Sequence, residues 1–239
     1  MLRSRLVLVL SLLAAAGAAV SASAEVPSDR TLYDSGPDGR YLMDGAWQFR
    51  LDSTPTWSPI EVPYAWNATD PSVKSFIGTV GWYRKDFELP SADGGLTWIV
   101  RFESVNYRAK VFLNGTEIAE HEGAYLPWEV RLPAHLLKRG ATNRLQVRVD
   151  NRRTEEDLPP MSYSSVRNEP TGGWWNYGGI LREVYLRSVA STDLETVQVL
   201  PELLCRTCDA TIRVRAVARN YDNLARSVQV SGTYGNVTL

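Results

Sequence analysis

Two groups of residues have types and spacings that could do chemistry. Cys205 and Cys208 stand three apart in Leu204-Cys205-Arg206-Thr207-Cys208-Asp209, a spacing open to a disulfide, to free thiols or to half of a metal site. Residues i and i+3 on a straight strand lie too far apart to bridge, so a disulfide demands a tight turn there. A metal needs two more ligands, and the two histidines, His121 and His135, are far off without ligand spacing, so no metal site is expected. The second group is Trp174, Trp175, Asn176 and Tyr177. They close a stretch of 25 residues, Asn151 to Trp175, that has no strand periodicity and holds four acidic groups, Pro159-Pro160, Pro170 and Gly172-Gly173. Loops beyond about 15 residues in a compact domain are usually functional or disordered. One that ends in aromatics favours function, because such rings serve as flat platforms for ligands as well as core pieces.

Composition limits the partners. The chain has 239 residues, 44% of them hydrophobic, with 8 Trp, 11 Tyr and a net charge of -1. Such a balance describes a globular chain and offers no broad basic field for nucleic acid and no polybasic grip on a membrane. Arg3 and Arg5 precede an apolar run from Leu6 to Val20 and then Ala22-Ser23-Ala24. Two charges, an apolar region and a small-x-small site make a secretory signal peptide over 1–24, with a membrane anchor as the alternative. Cleavage leaves 24 basic against 27 acidic residues, about -3, and an exported (periplasmic or extracellular) chain with no membrane contact. In that compartment a disulfide is the default state of two cysteines.

The elements that must position these groups are strands. Leu145, Val147 and Val149 alternate with Arg144, Gln146 and Arg148, and Ile212, Val214 and Ala216 with Arg213 and Arg215; each is the pattern of a half-buried antiparallel strand. Further strands are expected over Trp47–Leu51, Trp82–Leu89, Leu96–Val105, Arg108–Leu113, Trp128–Leu132, Leu181–Arg187, Thr196–Leu200 and Ser227–Ser231. Asn114-Gly115 predicts a type I′ hairpin turn, with His121 on its second strand as a hydrogen-bonded structural residue. Trp47, Phe49, Trp82 and Arg84 sit at alternate strand positions, where large aromatics read as core filler. Gly178-Gly179 reads as a bulge or close backbone approach, and one short helix is expected after Pro133, ending at Gly140. Three Asn-x-Thr sequons, at Asn67, Asn114 and Asn236, are assigned no function. So many short strands make an all-β sandwich or jelly roll. A break near Ser191 divides the chain into domains 25–190 and 191–239.

Laid end to end, the segments resemble the N-terminal part of glycoside hydrolase family 2, the β-galactosidases, β-glucuronidases and β-mannosidases. The matching pieces run from Leu42-Met43-Asp44-Gly45-Ala46-Trp47 through Val62-Pro63 and Trp66-Asn67, Gly81-Trp82-Tyr83-Arg84 and Asn114-Gly115. They continue through His121-x-Gly123-x-Tyr125-x-Pro127-Trp128 to Asn176-Tyr177-Gly178-Gly179-Ile180. The resemblance implies a galactose-binding-like jelly roll, then an immunoglobulin-like sandwich, then a catalytic barrel that carries both glutamates of a retaining mechanism. It also implies that the loop Asn151 to Tyr177 reaches toward the barrel's sugar pocket. Trp174, Trp175, Asn176 and Tyr177 thereby become the candidate carbohydrate-binding or barrel-facing residues, the two indoles either stacking on sugar faces or plugging the interface. No cofactor is implied.

The chain departs from the family pattern in two places. Glucuronidase-like members carry an Asp three positions before the Asn of Asn-Tyr-Gly-Gly-Ile, and here that position is Gly173. After Ser191 only 48 residues follow, against about 100 for a complete immunoglobulin-like domain, so the second sandwich is expected to be partial and the barrel absent. Asn168-Glu169-Pro170 imitates the Asn-Glu signature of the family's acid/base, but it lies in the loop with Glu155, Glu156 and Asp157 as solvated neighbours, so no catalytic residue is expected. The reading is a non-catalytic N-terminal portion of an exported family 2 β-glycosidase. The alternatives are a free-standing exported carbohydrate-binding module and an interaction protein pairing through open strand edges.

Overall fold

The computed structural model describes residues 40–92, 95–234 and 237–238. The segment 1–24 read as a signal peptide and the sequon residue Asn236 lie outside the described residues.

Two antiparallel sheets face each other. One runs, edge to edge, Ser58–Val62, Gly45–Leu51, Val80–Glu88, Thr142–Asp150, Arg108–Leu113, Thr116–Glu122. The other runs Arg40–Leu42, Val184–Val189, Thr97–Phe102, Trp128–Arg131. The alternation of Thr142–Asp150 decides its orientation: Leu145, Val147 and Val149 are wholly buried between the sheets, while Arg144, Gln146 and Arg148 face out. Burying each such side chain is worth roughly 1.5–3 kcal/mol. Across them lie Val100, Phe102, Val184 and Leu186 of the smaller sheet, all fully buried. Asn114 and Gly115 turn the hairpin with φ of 51° and 92°, the two left-handed residues that a type I′ turn requires.

Several expectations are corrected. The run after Pro133 makes only turns, Leu136 N–H to the Pro133 carbonyl and Leu137 N–H to that of Ala134. Six residues are too few to nucleate a helix unaided, and the Asn143 side chain instead clamps Lys138 by its N–H and its carbonyl. The helix that does form is Val73–Ile77, capped by the Ser72 hydroxyl, which accepts from Ser75 N–H. Leu96–Val105 divides into Thr97–Phe102 and Val105–Asn106, the strand expected over Leu181–Arg187 is Val184–Val189, and Ser227–Ser231 pairs with no strand among the described residues. Trp82 and Arg84 lie on the outer face of their strand, since Gly81, Tyr83, Lys85 and Phe87 take the inner one. His121 stacks on Trp128, centroids 4.4 Å apart and planes at 6°, and among the described residues this contact stands where a hydrogen bond was expected; burial lowers its pKa.

The strands Thr192–Glu202 and Thr211–Asn220 form a hairpin after the sandwich. Their register puts Leu194, Val197 and Val199 on one face with Ala218, Ala216 and Val214. That face is not the buried side its alternation suggests, for Val197 and Val199 remain about half exposed. Arg187 joins the hairpin to the sandwich, its guanidinium 2.9 Å from Glu129 and 2.7 Å from Asp193. In the hairpin's connection Cys205 and Cys208 are disulfide-bonded, with Cα atoms 5.2 Å apart across a turn closed by Cys208 N–H to the Cys205 carbonyl.

One carboxyl is out of its ordinary range. Burial pushes Asp44 up to about 6, although it accepts a 2.8 Å hydrogen bond from Val184 N–H. A carboxyl whose pKa is raised by folding contributes stability below its unfolded value and loses it as pH rises through the folded one. Asp44→Asn keeps the acceptor and removes the charge. It is expected to raise the thermal midpoint near neutral pH, with the gain disappearing between about pH 6 and about pH 4, as followed by calorimetry across that range.

Candidate functional site

The loop that closes on Trp174 to Tyr177 is fixed at its base by a short three-stranded ladder. Gly179 pairs with Ala65 on one side and Asn106 on the other, and Ile180 with Tyr64 and Val105. Under this ladder Trp66, Tyr83 and Phe49 pack with centroids 5.0–6.2 Å apart. The two glycines of Gly178-Gly179 are required by that closeness. A Cβ on Gly179, whose φ is 135°, would stand 2.6 Å from the Tyr83 hydroxyl and 2.8 Å from the Tyr64 carbonyl.

Four buried asparagines then hold the loop end. Asn176 is fully buried, and its Nδ2 donates to the Phe76 and Asn151 carbonyls at 2.9 and 2.7 Å. Its own carbonyl accepts from Asn67 Nδ2 at 3.0 Å and Asn151 Nδ2 at 3.1 Å. Asn67 Oδ1 accepts from Gly178 N–H at 2.9 Å, and Asn106 Nδ2 donates to the Tyr177 carbonyl. Each amide can both donate and accept, so a closed ring of amides satisfies irregular backbone that no ladder pairs.

Arg153 completes the ring. Its guanidinium is buried and donates to Asn106 Oδ1 at 2.7 Å and the Pro159 carbonyl at 3.0 Å. It also lies 4.0 Å from the Tyr107 ring centroid and 5.1 Å from that of Trp174. Among the described residues no carboxylate reaches it, and burial lowers its pKa. Ring faces and neutral oxygens, with the more distant Asp157 carboxylate, carry the compensation.

Trp174 and Trp175 both lean on Phe76 of the short helix, centroids 5.5 and 5.4 Å away, and are half-buried. Tyr177 is exposed. Asn176, placed by the sequence reading among the outward-facing residues, faces inward and positions the others. Gly173 has φ of 68° and open space where a Cβ would stand. Glu169 lies on a two-residue ladder of the loop, solvent-exposed and paired with Arg167 at 2.9 Å. Asp157 corrects the expectation of a solvated neighbour: it is buried, ion-paired to Arg108, and accepts from Thr154 N–H at 2.7 Å. The sequence reading missed the parts of Asn67, Asn106 and Arg153, because buried asparagines leave no periodic signal. Asn67 and Asn114 also spend their side-chain amides on internal hydrogen bonds, which argues against their use as glycan acceptors in the folded chain.

Residues 41–189, more than half of the chain, match the family model described as glycosyl hydrolases family 2, sugar binding domain. The chain belongs to glycoside hydrolase family 2. This family 2 chain is 29% identical over 177 residues to a β-glucuronidase of Formosa agariphila, covering 68% of itself and 17% of that relative. It is 28% identical over 165 residues to a β-galactosidase of Thermoanaerobacter pseudethanolicus, covering 68% and 21%. The solved Lactobacillus rhamnosus β-glucuronidase superposes with a TM-score of 0.65 at 28% identity, over 80% of this chain and 35% of that one. The family 2 chain thus spans about a third or less of the length of these relatives. Its all-β fold is that of their N-terminal sandwich domains.

Proposed function

We propose that this chain is the non-catalytic, sugar-binding portion of an exported family 2 β-glycosidase, and that its loop end seats against a catalytic domain supplying the two glutamates of retaining hydrolysis. The observation that carries this reading is where apolar surface is left open. Within residues 40–190 the exposed large apolar side chains are Tyr64, Ile77, Tyr125, Leu126, Leu158, Val166 and Tyr177. These come from the segments around the asparagine ring: the Tyr64–Ala65 ladder strand, the end of the short helix, the turn beside Arg153 and the loop itself. A rigid base beneath a half-apolar rim suits docking against a partner with a sugar between them. The relatives named β-glucuronidase and β-galactosidase support β-glycosides as the substrate class, and Gly173 leaves the sugar open. Export is supported by the charged, apolar and small-residue pattern of 1–24 and by the Cys205–Cys208 disulfide, which suits an oxidising compartment.

The purified chain is expected to give no turnover of nitrophenyl β-D-glucuronide or β-D-galactoside. Turnover that disappears in Glu169→Gln would overturn the reading. Calorimetric binding of a neutral β-linked oligosaccharide that is lost in Trp175→Ala would move the assignment to a free-standing carbohydrate-binding module.

A further inference from the structure

The outer face of the six-stranded sheet carries a group of residues that the loop end does not use. Gln48 lies opposite Arg84 and Arg50 opposite Trp82, and on the next strand Arg148 lies opposite Trp82. Trp57, just before the edge strand, joins them. The Arg84 guanidinium lies 4.7 Å from the Trp57 centroid, and that of Arg50 lies 5.3 Å from Trp57 and 5.4 Å from Trp82. Phe112 extends the row, its centroid 5.5 Å from that of Trp82.

Two of these arginines form no ion pair. Among the described residues Arg50 and Arg84 have no carboxylate within 4.0 Å, and Arg84 has no hydrogen-bond acceptor either. Arg148 approaches Asp150 only at 3.9 Å, because Arg152 already holds both oxygens of that carboxylate. Stacking on an indole occupies the flat face of the Arg84 guanidinium and leaves its in-plane N–H donors available, the arrangement suited to bidentate capture of a carboxylate, while Arg50 spends Nη1 on the Leu51 and Thr54 carbonyls at 3.3 and 3.0 Å and keeps Nε and Nη2. Partial burial and the neighbouring Arg144 disfavour the charged form of Arg84, and Asp86 offsets them only in part.

We propose that this sheet face is a binding site, separate from the loop end, for an oligosaccharide bearing carboxylates, such as a chain with uronate at alternate residues. Arg50 and Arg148 flank Trp82 two strand spacings apart, ~10 Å, about the length of one disaccharide. The aromatic edges between them offer apolar surface to the sugar lying across the gap. A nucleic-acid strand carries a charge on every residue and would also meet Asp52, Asp86 and Asp150 around the patch. The saccharide places fewer charges and aligns them with the arginines.

The test titrates the purified chain with a hexasaccharide alternating glucuronate and N-acetylglucosamine, with cellohexaose and oligo-dT as comparisons. Binding is expected for the acidic hexasaccharide alone, weakened about tenfold or more by Arg84→Gln and by Trp57→Ala, with the thermal midpoint of Arg84→Gln unchanged and binding retained in Trp175→Ala. No binding, binding indifferent to Arg84→Gln, or equal binding of oligo-dT would overturn the proposal. Loss in Trp175→Ala with retention in Arg84→Gln would place the sugar at the loop end and overturn it as well. None of these results bears on whether the chain hydrolyses a glycoside, so the two readings fail separately.

Discussion

Replacing Gly178 with alanine is expected to destabilise the sandwich by about 3 kcal/mol or more, a large share of the ~5–15 kcal/mol that holds a domain together. The added Cβ would stand 2.6 Å from Cε2 of Trp66, closer still to its Cζ2, and 2.7 Å from Nδ2 of Asn151. Neither neighbour can yield cheaply. Trp66 stacks on Phe49 and packs on Tyr83, which is fully buried, and Asn151 is committed to the Thr79 N–H at 2.7 Å and the Asn176 carbonyl at 3.1 Å. Relief must come from moving the backbone, which breaks the Gly178 contact with Asn67 and loosens the ladder beside it. Urea denaturation followed by tryptophan fluorescence reads the change. An alanine variant with an unaltered midpoint would mean that the close approach is not the reason for glycine.

Asn176→Ala is expected to cost roughly 3–5 kcal/mol by a different route. It leaves the Phe76 and Asn151 carbonyls without the amide that now donates to both, and each buried group stranded in this way costs ~1–3 kcal/mol. Asn176→Asp separates hydrogen bonding from size. Its second oxygen would face those two carbonyls, and burial raises the carboxyl's pKa above its unfolded value, so the damage is greatest near neutral pH and lessens as the pH falls and the protonated acid donates again. Denaturation midpoints of the two variants, compared near pH 7 and near pH 4, test this; identical pH profiles would show that the amide network is not what holds the loop. Local readouts should move first. With the ring broken, Trp174 and Trp175 lose their seat on Phe76, and limited proteolysis is expected to cut within 151–177 before the sandwich unfolds.

Both variants strike residues whose part was only half legible in sequence. The Gly178-Gly179 pair announced a close approach, because two glycines before a strand have few other uses, but nothing local said that Trp66 was the group approached. Asn176 was picked out with its aromatic neighbours by position in a family pattern. Its direction, inward, depends on three asparagines 25 to 109 residues away in the chain. Trp82 and Arg84 show the same limit. Alternation says that they share a face, and only the partner strands say that it is the outer one, because Tyr83 and Phe87 claim the interior.

The alternation of Leu145, Val147 and Val149 determined an antiparallel sandwich strand by itself, and Asn114-Gly115 determined its hairpin, since period-two burial and left-handed turn residues are properties of a few adjacent bonds. Ile212, Val214 and Ala216 carry the same alternation, yet their face stays open in the hairpin of Thr192–Glu202 and Thr211–Asn220. Burial is a property of what packs opposite, and that is decided by the tertiary structure alone. The site divides in the same way. Which residues carry rings, amides and guanidinium groups was written in the chain. The closing of four asparagines and Arg153 into one network, and the gathering of Arg50, Arg84 and Arg148 around Trp82, required strands distant in sequence to meet.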